Sequence, residues 1–448
     1  MNGLISKNNI VLDNCSGNNL KTSKTCHWNT TPLHLAAMNG NLKIVRLILD
    51  HIDDSCIRNS SWTTPFDLAV VNGHFEACRL ILDRAKDKNP EYIGGRTPLN
   101  DAIENGNLQI CRLIIERIED KNPTNVFGYT PLHYAAENGN LDICRLIIIE
   151  KVGNKNPANN NNGETPLHKA ALHGHVDVCK LIIEKIADKN PTDNIGNTPL
   201  HYATMHGHLD VCKMITEKIT DKNLTNIYGY TPLHYASRYG HLDVCNLIIE
   251  QIADKNPADN EGCTPLHYAA MYGHLDICKI IIEKIVYKNP ANNFGETPFH
   301  YAIIYGHLDI GRFIIEMIPD KNPADHNGST PLHHAAKYGH LDVCKLIIEW
   351  IADKNPADSN GSTPLHYAAM YGHLDVCRLI IEMIADKNPT GKNGDTPLHY
   401  AAKNGHLDVC RLIINNVDDK HPVNNLGETP KMLAKQRNRT KIVKLFES

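Results

Sequence analysis

No stretch of the 448-residue chain approaches the ~18 consecutive apolar residues of a membrane-spanning helix, so membrane insertion is not expected. The opening residues, MNGLISKNNIVLDN, hold no continuous apolar segment and do not read as a secretory signal. Charge of one sign is also missing. A formal net charge of −4 gives no global basic field to attract nucleic acid or an anionic membrane surface. The phosphate-binding G-x-x-x-x-G-K-[ST] loop and the G-x-S-x-G nucleophile turn are absent, and no cysteine pair has C-x2-C zinc spacing. An enzyme, a resident cofactor, a metal site and a nucleic-acid partner are therefore not expected.

Repetition dominates what is present. Thr-Pro pairs begin at 31, 64, 97, 130, 165, 198, 231, 264, 297, 330, 363, 396 and 429. Every interval is 33 except one of 35, where an extra Ile in Leu146–Ile149 and an extra Asn in Ala158–Gly163 account for the difference. A fixed period of this length means a stacked repeat array, which overrides the domain number that chain length alone suggests.

The unit from Thr264 can be parsed physically. Thr264 is an N-cap, and Pro265 takes the first helical position, where its missing N–H costs nothing. His267 stands where a capping-box partner reaches back. Leu266, Ala269 and Ala270 form a narrow face of small residues, and Gly273 ends this short helix. His274 opens a second helix, with Asp276 complementing its dipole. Leu275, Ile277, Cys278, Ile281 and Ile282 give it a broad apolar face. IVYKNPANNFG then reads as a turn segment. Alone, such a unit cannot bury both faces; stacked, it can.

Ten of the 14 cysteines recur at one position of the repeat, from Cys78 to Cys410. Neighbouring copies stand roughly 8–10 Å apart at helix-packing distance, beyond the ~7 Å that a disulfide allows between Cα atoms. They read as buried thiols, which points to a reducing compartment, the cytoplasm, with the nucleus as alternative.

The pattern G-x-T-P-L-H-x-A-A-x-x-G-H-L-D-x-x-x-L-I-I resembles the ankyrin repeat over roughly residues 24–448. The resemblance implies an all-α repeat solenoid of stacked helix-turn-helix units with projecting β-hairpin fingers. It also implies protein binding through the fingers and the exposed, concave face of the first helices. The expected organisation is an irregular or disordered segment over 1–23, twelve repeats over 24–428, and a capping repeat over 429–448. Several positions depart from the pattern. Asp67 and Asn100 replace the motif His, Trp62 stands at the finger Gly so that finger is expected to be irregular, and Gly311 replaces the recurrent Cys. Ile186, Ile252 and Ile351 stand where the family stops its second helix with Gly, so that helix is expected to run on or to turn without a left-handed cap. The basic end, with Lys431, Lys435, Arg437, Arg439, Lys441 and Lys444, reads as a solubilising cap, with an anionic docking patch as alternative.

Two columns of histidine, ten in TPLH from His34 to His399 and nine after the glycine from His74 to His406, cannot converge on one ion and read as cap and turn hydrogen bonding. The position before the glycine is Tyr239, Tyr272, Tyr305, Tyr338 and Tyr371 in five consecutive repeats. Four residues earlier stand Tyr235, Tyr268, Tyr301 and Tyr367, with His334 in the fourth unit. Spacing i, i+4 places both columns on one helix face. The inner column is expected to pack. The outer column, with Met271, Ile304 and Met370 beside it, forms an aromatic stripe suited to a protein interface, with duplicated packing residues as the bland alternative. The finger-tip aromatics Phe127, Tyr228 and Phe294 extend the candidate surface.

The sequence therefore reads as a monomeric, non-catalytic scaffold or adaptor for a protein partner, its footprint on repeats seven to eleven. A spacer array without a dedicated partner, or a regulatory subunit docking an enzyme through its C-terminal cap, are the rival readings.

Overall fold

The computed structural model describes residues 30–447 apart from 53, 54, 56, 92 and 150–153. The expected irregular segment over 1–23 lies outside these residues. The described residues form 26 α-helices and no β-strand. The chain divides into two compact units, Met1–Thr220 and Asp221–Ser448. The first carries α1 (Pro32–Met38) to α12 (Leu209–Thr216), and the second carries α13 (Pro232–Tyr239) to α26 (Thr440–Leu445). In each unit a first helix packs on its own second helix and on the first helix of the next repeat.

The local chemistry explains each element. In α15 (Pro265–Tyr272) the Thr264 amide donates to Nδ1 of His267 at 3.0 Å, and the Thr264 hydroxyl lies 2.9 Å from the same nitrogen. An Nδ1 that accepts an amide proton places the imidazole proton on Nε2. That Nε2 donates to the Glu296 carbonyl of the next repeat at 3.2 Å. One tautomer thus caps a helix and ties two repeats. His34, His133, His168, His234, His300, His333, His366 and His399 repeat both bonds. Asp67 substitutes in part: its carboxylate accepts from the Thr64 amide at 2.6 Å. The buried acid has its pKa raised to about 6 by desolvation.

Gly273 ends α15 at φ +84°, and a Cβ there would meet the His307 ring at 2.9 Å. The glycine is needed both for its left-handed backbone and for the approach of the next repeat. Nε2 of His307 in turn donates to the Met271 carbonyl at 3.0 Å. The second histidine column is therefore also a tie between repeats.

The second helices do turn without a left-handed cap. Ile252, after α14 (Leu242–Gln251), is extended at φ −104°, ψ 153°. Lys255 supplies the missing stop by donating through Nζ to the carbonyls of Ile249 and Ile252. Asn256 then accepts the Leu266 amide at 3.1 Å and fixes the path into the next repeat. Lys189, Lys354 and Lys387 form the same pair of bonds. The D-K-N-P stretch thus does the work of the absent glycine.

The projecting fingers are tight hydrogen-bonded hairpin turns, with no β-strand among the described residues. The Asp259 amide donates to the Cys263 carbonyl at 2.8 Å, the Gly262 amide returns to Asp259 at 3.0 Å, and the Asn260 amide joins the preceding finger at Tyr228 with 3.1 Å. Trp62 keeps its finger closed, donating to the Asn59 carbonyl at 3.0 Å, but does so at φ +61°. The column cysteines Cys78, Cys111, Cys144, Cys179, Cys212, Cys245, Cys278, Cys344, Cys377 and Cys410 are buried free thiols. Burial raises the pKa of Cys278 to about 12, so it packs as a small hydrophobe. Gly311 is accommodated because Phe299 and Ile303 are larger than Leu266 and Ala270 one repeat earlier. A Cβ at Gly311 would lie 3.0 Å from Ile303 Cδ1.

Candidate functional site

The two tyrosine columns share a helix face but not an environment. Tyr268 and Tyr235 of the inner column are 6% and 8% exposed. The Tyr268 hydroxyl donates to Asp259 Oδ2 at 2.7 Å and lies 3.0 Å from the Tyr230 hydroxyl. Tyr367 donates likewise to Asp358 at 2.9 Å, and Tyr301 accepts from Asn292 at 3.2 Å. Each ring also stands edge-on to the capping histidine of the preceding repeat. Centroids are 5.8 Å apart for His234–Tyr268, 5.6 Å for His267–Tyr301 and 5.9 Å for His333–Tyr367. This geometry is favourable for aromatic pairs. The inner column is packing, as its sequence position suggests.

The outer column differs. Tyr239, Tyr272, Tyr305, Tyr338 and Tyr371 are 43–53% exposed. They occupy the last turn or C-cap of five successive first helices of the second unit: α13, α15, α17 (Pro298–Ile304), α19 (Pro331–Tyr338) and α21 (Pro364–Tyr371). The Tyr239, Tyr338 and Tyr371 rings stack on the histidines two residues on, with centroids 6.1–6.5 Å apart. That contact orients the rings while about half of each residue stays exposed. Met271, Ile304 and Met370 are half-buried beside them.

Basic residues interleave with the stripe. The Arg238 guanidinium lies 5.8 Å from the Tyr239 ring and 5.4 Å from the Tyr272 ring, bridging two repeats. Lys337 Nζ lies 5.4 Å from Tyr338. Arrangements of this kind favour a cation over the ring face. Sequence reading missed these cations, although each stands one residue before a stripe tyrosine.

The finger-tip residues are exposed: Phe127 and Phe294 at 56%, Tyr228 at 53%. Tyr228 and Phe294 share the second unit with the stripe, whereas Phe127 belongs to the first unit. Both histidine columns are consumed by hydrogen bonds. One group of potential ligand side chains does come together among the described residues: Glu296, Asp325 and His334, whose ligand atoms lie within 4.8 Å of one another. No helix among the described residues is long and apolar enough to cross a membrane.

The family model for ankyrin repeats (3 copies) matches the chain in nine overlapping segments between residues 4 and 447, from 4–92 through to 382–447. A comparison with curated proteins finds no match.

Proposed function

This chain belongs to the ankyrin-repeat family, whose repeats are generally protein–protein interaction modules, and we propose that it is a non-catalytic scaffold or adaptor. The partner docks on the exposed face of the first helices of the second unit, the side that the family resemblance makes concave. Tyr239, Tyr272, Tyr305, Tyr338 and Tyr371 are its anchors, Met271, Ile304 and Met370 its apolar flank, and Tyr228 and Phe294 its border. Phe127 is a contact of the first unit.

The observation that supports this reading is the contrast between neighbouring columns. Inner tyrosines spend their hydroxyls and ring edges on the fold, whereas outer tyrosines are held in position with half their surface open. Ordered tyrosines contribute large contact area at little entropic cost, which suits interface hot spots.

Capture from native lysate tests the reading, with the full chain beside a variant carrying Tyr→Ala at all five stripe positions. Both baits are first matched by circular dichroism. A protein retained by the natural chain and lost by the variant supports the stripe as the site. Identical capture by both baits removes the stripe from the proposal, and a chain lacking 429–448 then tests docking through the basic end.

A further inference from the structure

The inner tyrosine column is interrupted once within the second unit's stripe region, and the interruption changes the chemistry. In two other repeats of this unit a tyrosine hydroxyl donates to the finger aspartate: Tyr268 to Asp259 at 2.7 Å and Tyr367 to Asp358 at 2.9 Å, whereas Tyr301 accepts from Asn292. In the repeat between Tyr301 and Tyr367 the same position is His334, and the finger aspartate is Asp325. His334 Nε2 lies 3.6 Å from Asp325 Oδ2, too far for a hydrogen bond. It is a buried nitrogen without a hydrogen-bond partner.

The carboxylate is held in place independently. Asp325 Oδ1 accepts the amides of Asn327 and Ser329, each at 2.8 Å, and its side chain is 6% exposed. Glu296, from the base of the preceding finger, completes a set of three ligand atoms within 4.8 Å of one another. Among the described residues neither carboxylate is paired with a lysine or arginine. Two carboxylates and an imidazole face one small space, and the 3.6 Å between His334 Nε2 and Asp325 Oδ2 is not bridged by a hydrogen bond.

We propose that Glu296, Asp325 and His334 form a binding site for a divalent transition cation of the zinc, cobalt or manganese kind. The donor set decides the class. An imidazole nitrogen disfavours calcium and magnesium, which take oxygen ligands, and the absence of thiolate disfavours soft monovalent copper. The two carboxylates supply the charge that balances a divalent ion. Three protein ligands leave the remaining coordination positions to water. The ion would join the finger turn at Glu296 to the next repeat's finger and first helix.

The test is titration of the chelator-treated full chain with Co2+, read by its visible absorption, followed by displacement with Zn2+. The chain has 26 histidines, so the control must separate this site from surface binding. His334→Tyr does so by restoring the tyrosine–aspartate pair seen at Tyr268 and Tyr367; it is expected to fold at least as stably as the natural chain without metal. Glu296→Gln is a second variant that leaves the packed imidazole in place. The expected result is one tight equivalent of Co2+ in the natural chain, at least tenfold weaker in both variants, with a Zn2+-dependent rise in unfolding midpoint that His334→Tyr lacks. No tight equivalent in the natural chain, or equal affinity in both variants, overturns the proposal.

Discussion

At the residue scale, the clearest departures from the repeat pattern are compensated by identifiable neighbours. Gly311 makes room for Phe299 and Ile303. Asp67 takes over the histidine's capping role but not the link to the next repeat, and its Oδ1 has no hydrogen-bond partner. Trp62 occupies a left-handed conformation that glycine holds in sibling fingers, for example Gly262 at φ +79°. For an L-residue that conformation costs about 1–2 kcal/mol, part of which glycine would return through the entropy of the unfolded chain. Trp62→Gly should therefore raise stability by about 0.5–1 kcal/mol, seen as a higher unfolding midpoint. The stacked Arg58, 5.4 Å from the ring, is the contact that would be lost; a lower midpoint would mean that it outweighs the backbone strain.

At the element scale, each repeat is closed by side chains acting on backbone groups. The threonine–proline–histidine start was legible because capping depends on residues three apart in sequence. The helical pattern and the buried cysteine column were legible for the same local reason. The lysine stop was not. Lys255 reaches carbonyls six and three residues back, and whether it does so depends on the path of the chain after Ile252. Replacing Lys255 with Met should cost about 1–2 kcal/mol by leaving those carbonyls without their charged donor. Hydrogen exchange should quicken in the last turn of α14 while the amides of α13 keep their protection. Unchanged exchange in α14 would show that the lysine follows the turn and does not hold it. The fingers were legible as turns for the same local reason, but composition does not say how far the flanking residues pair.

At the scale of the whole molecule, what sequence reading could not supply are contacts about one period apart. The tie from His307 to Met271, the edge-on pair His267–Tyr301, and the meeting of Glu296, Asp325 and His334 all join residues of neighbouring repeats or fingers. The interruption at His334 was visible, but its consequence required the finger aspartate to be placed opposite it. The first histidine column also gives the array a shared acid response. Burial lowers the pKa of His133, His234, His300, His333 and His366 from 6.5 to about 4, and that of His267 to about 3. The folded state thus binds these protons less readily than the unfolded chain. Stability is full above pH 6.5 and falls as pH drops toward 4, by on the order of 2 kcal/mol per histidine at pH 5. Protonation at Nδ1 also removes the acceptor of the threonine amide. Urea unfolding across this range should show the loss, and a flat profile between pH 7 and 5 would contradict the buried neutral caps.

The same separation of roles between columns underlies the binding surface. Outer tyrosines should matter for association and little for folding, because about half of each residue is exposed while the fold is secured by the column beside them. The decisive measurement is the equilibrium affinity of the captured partner for the natural chain and for the five-fold Tyr→Ala variant, at matched unfolding midpoints. Binding through the stripe predicts a loss of about 30-fold or more, since a single hot-spot residue is worth ~2 kcal/mol or above. Equal affinity in the two proteins would contradict it and leave the tyrosines as copies of a packing residue.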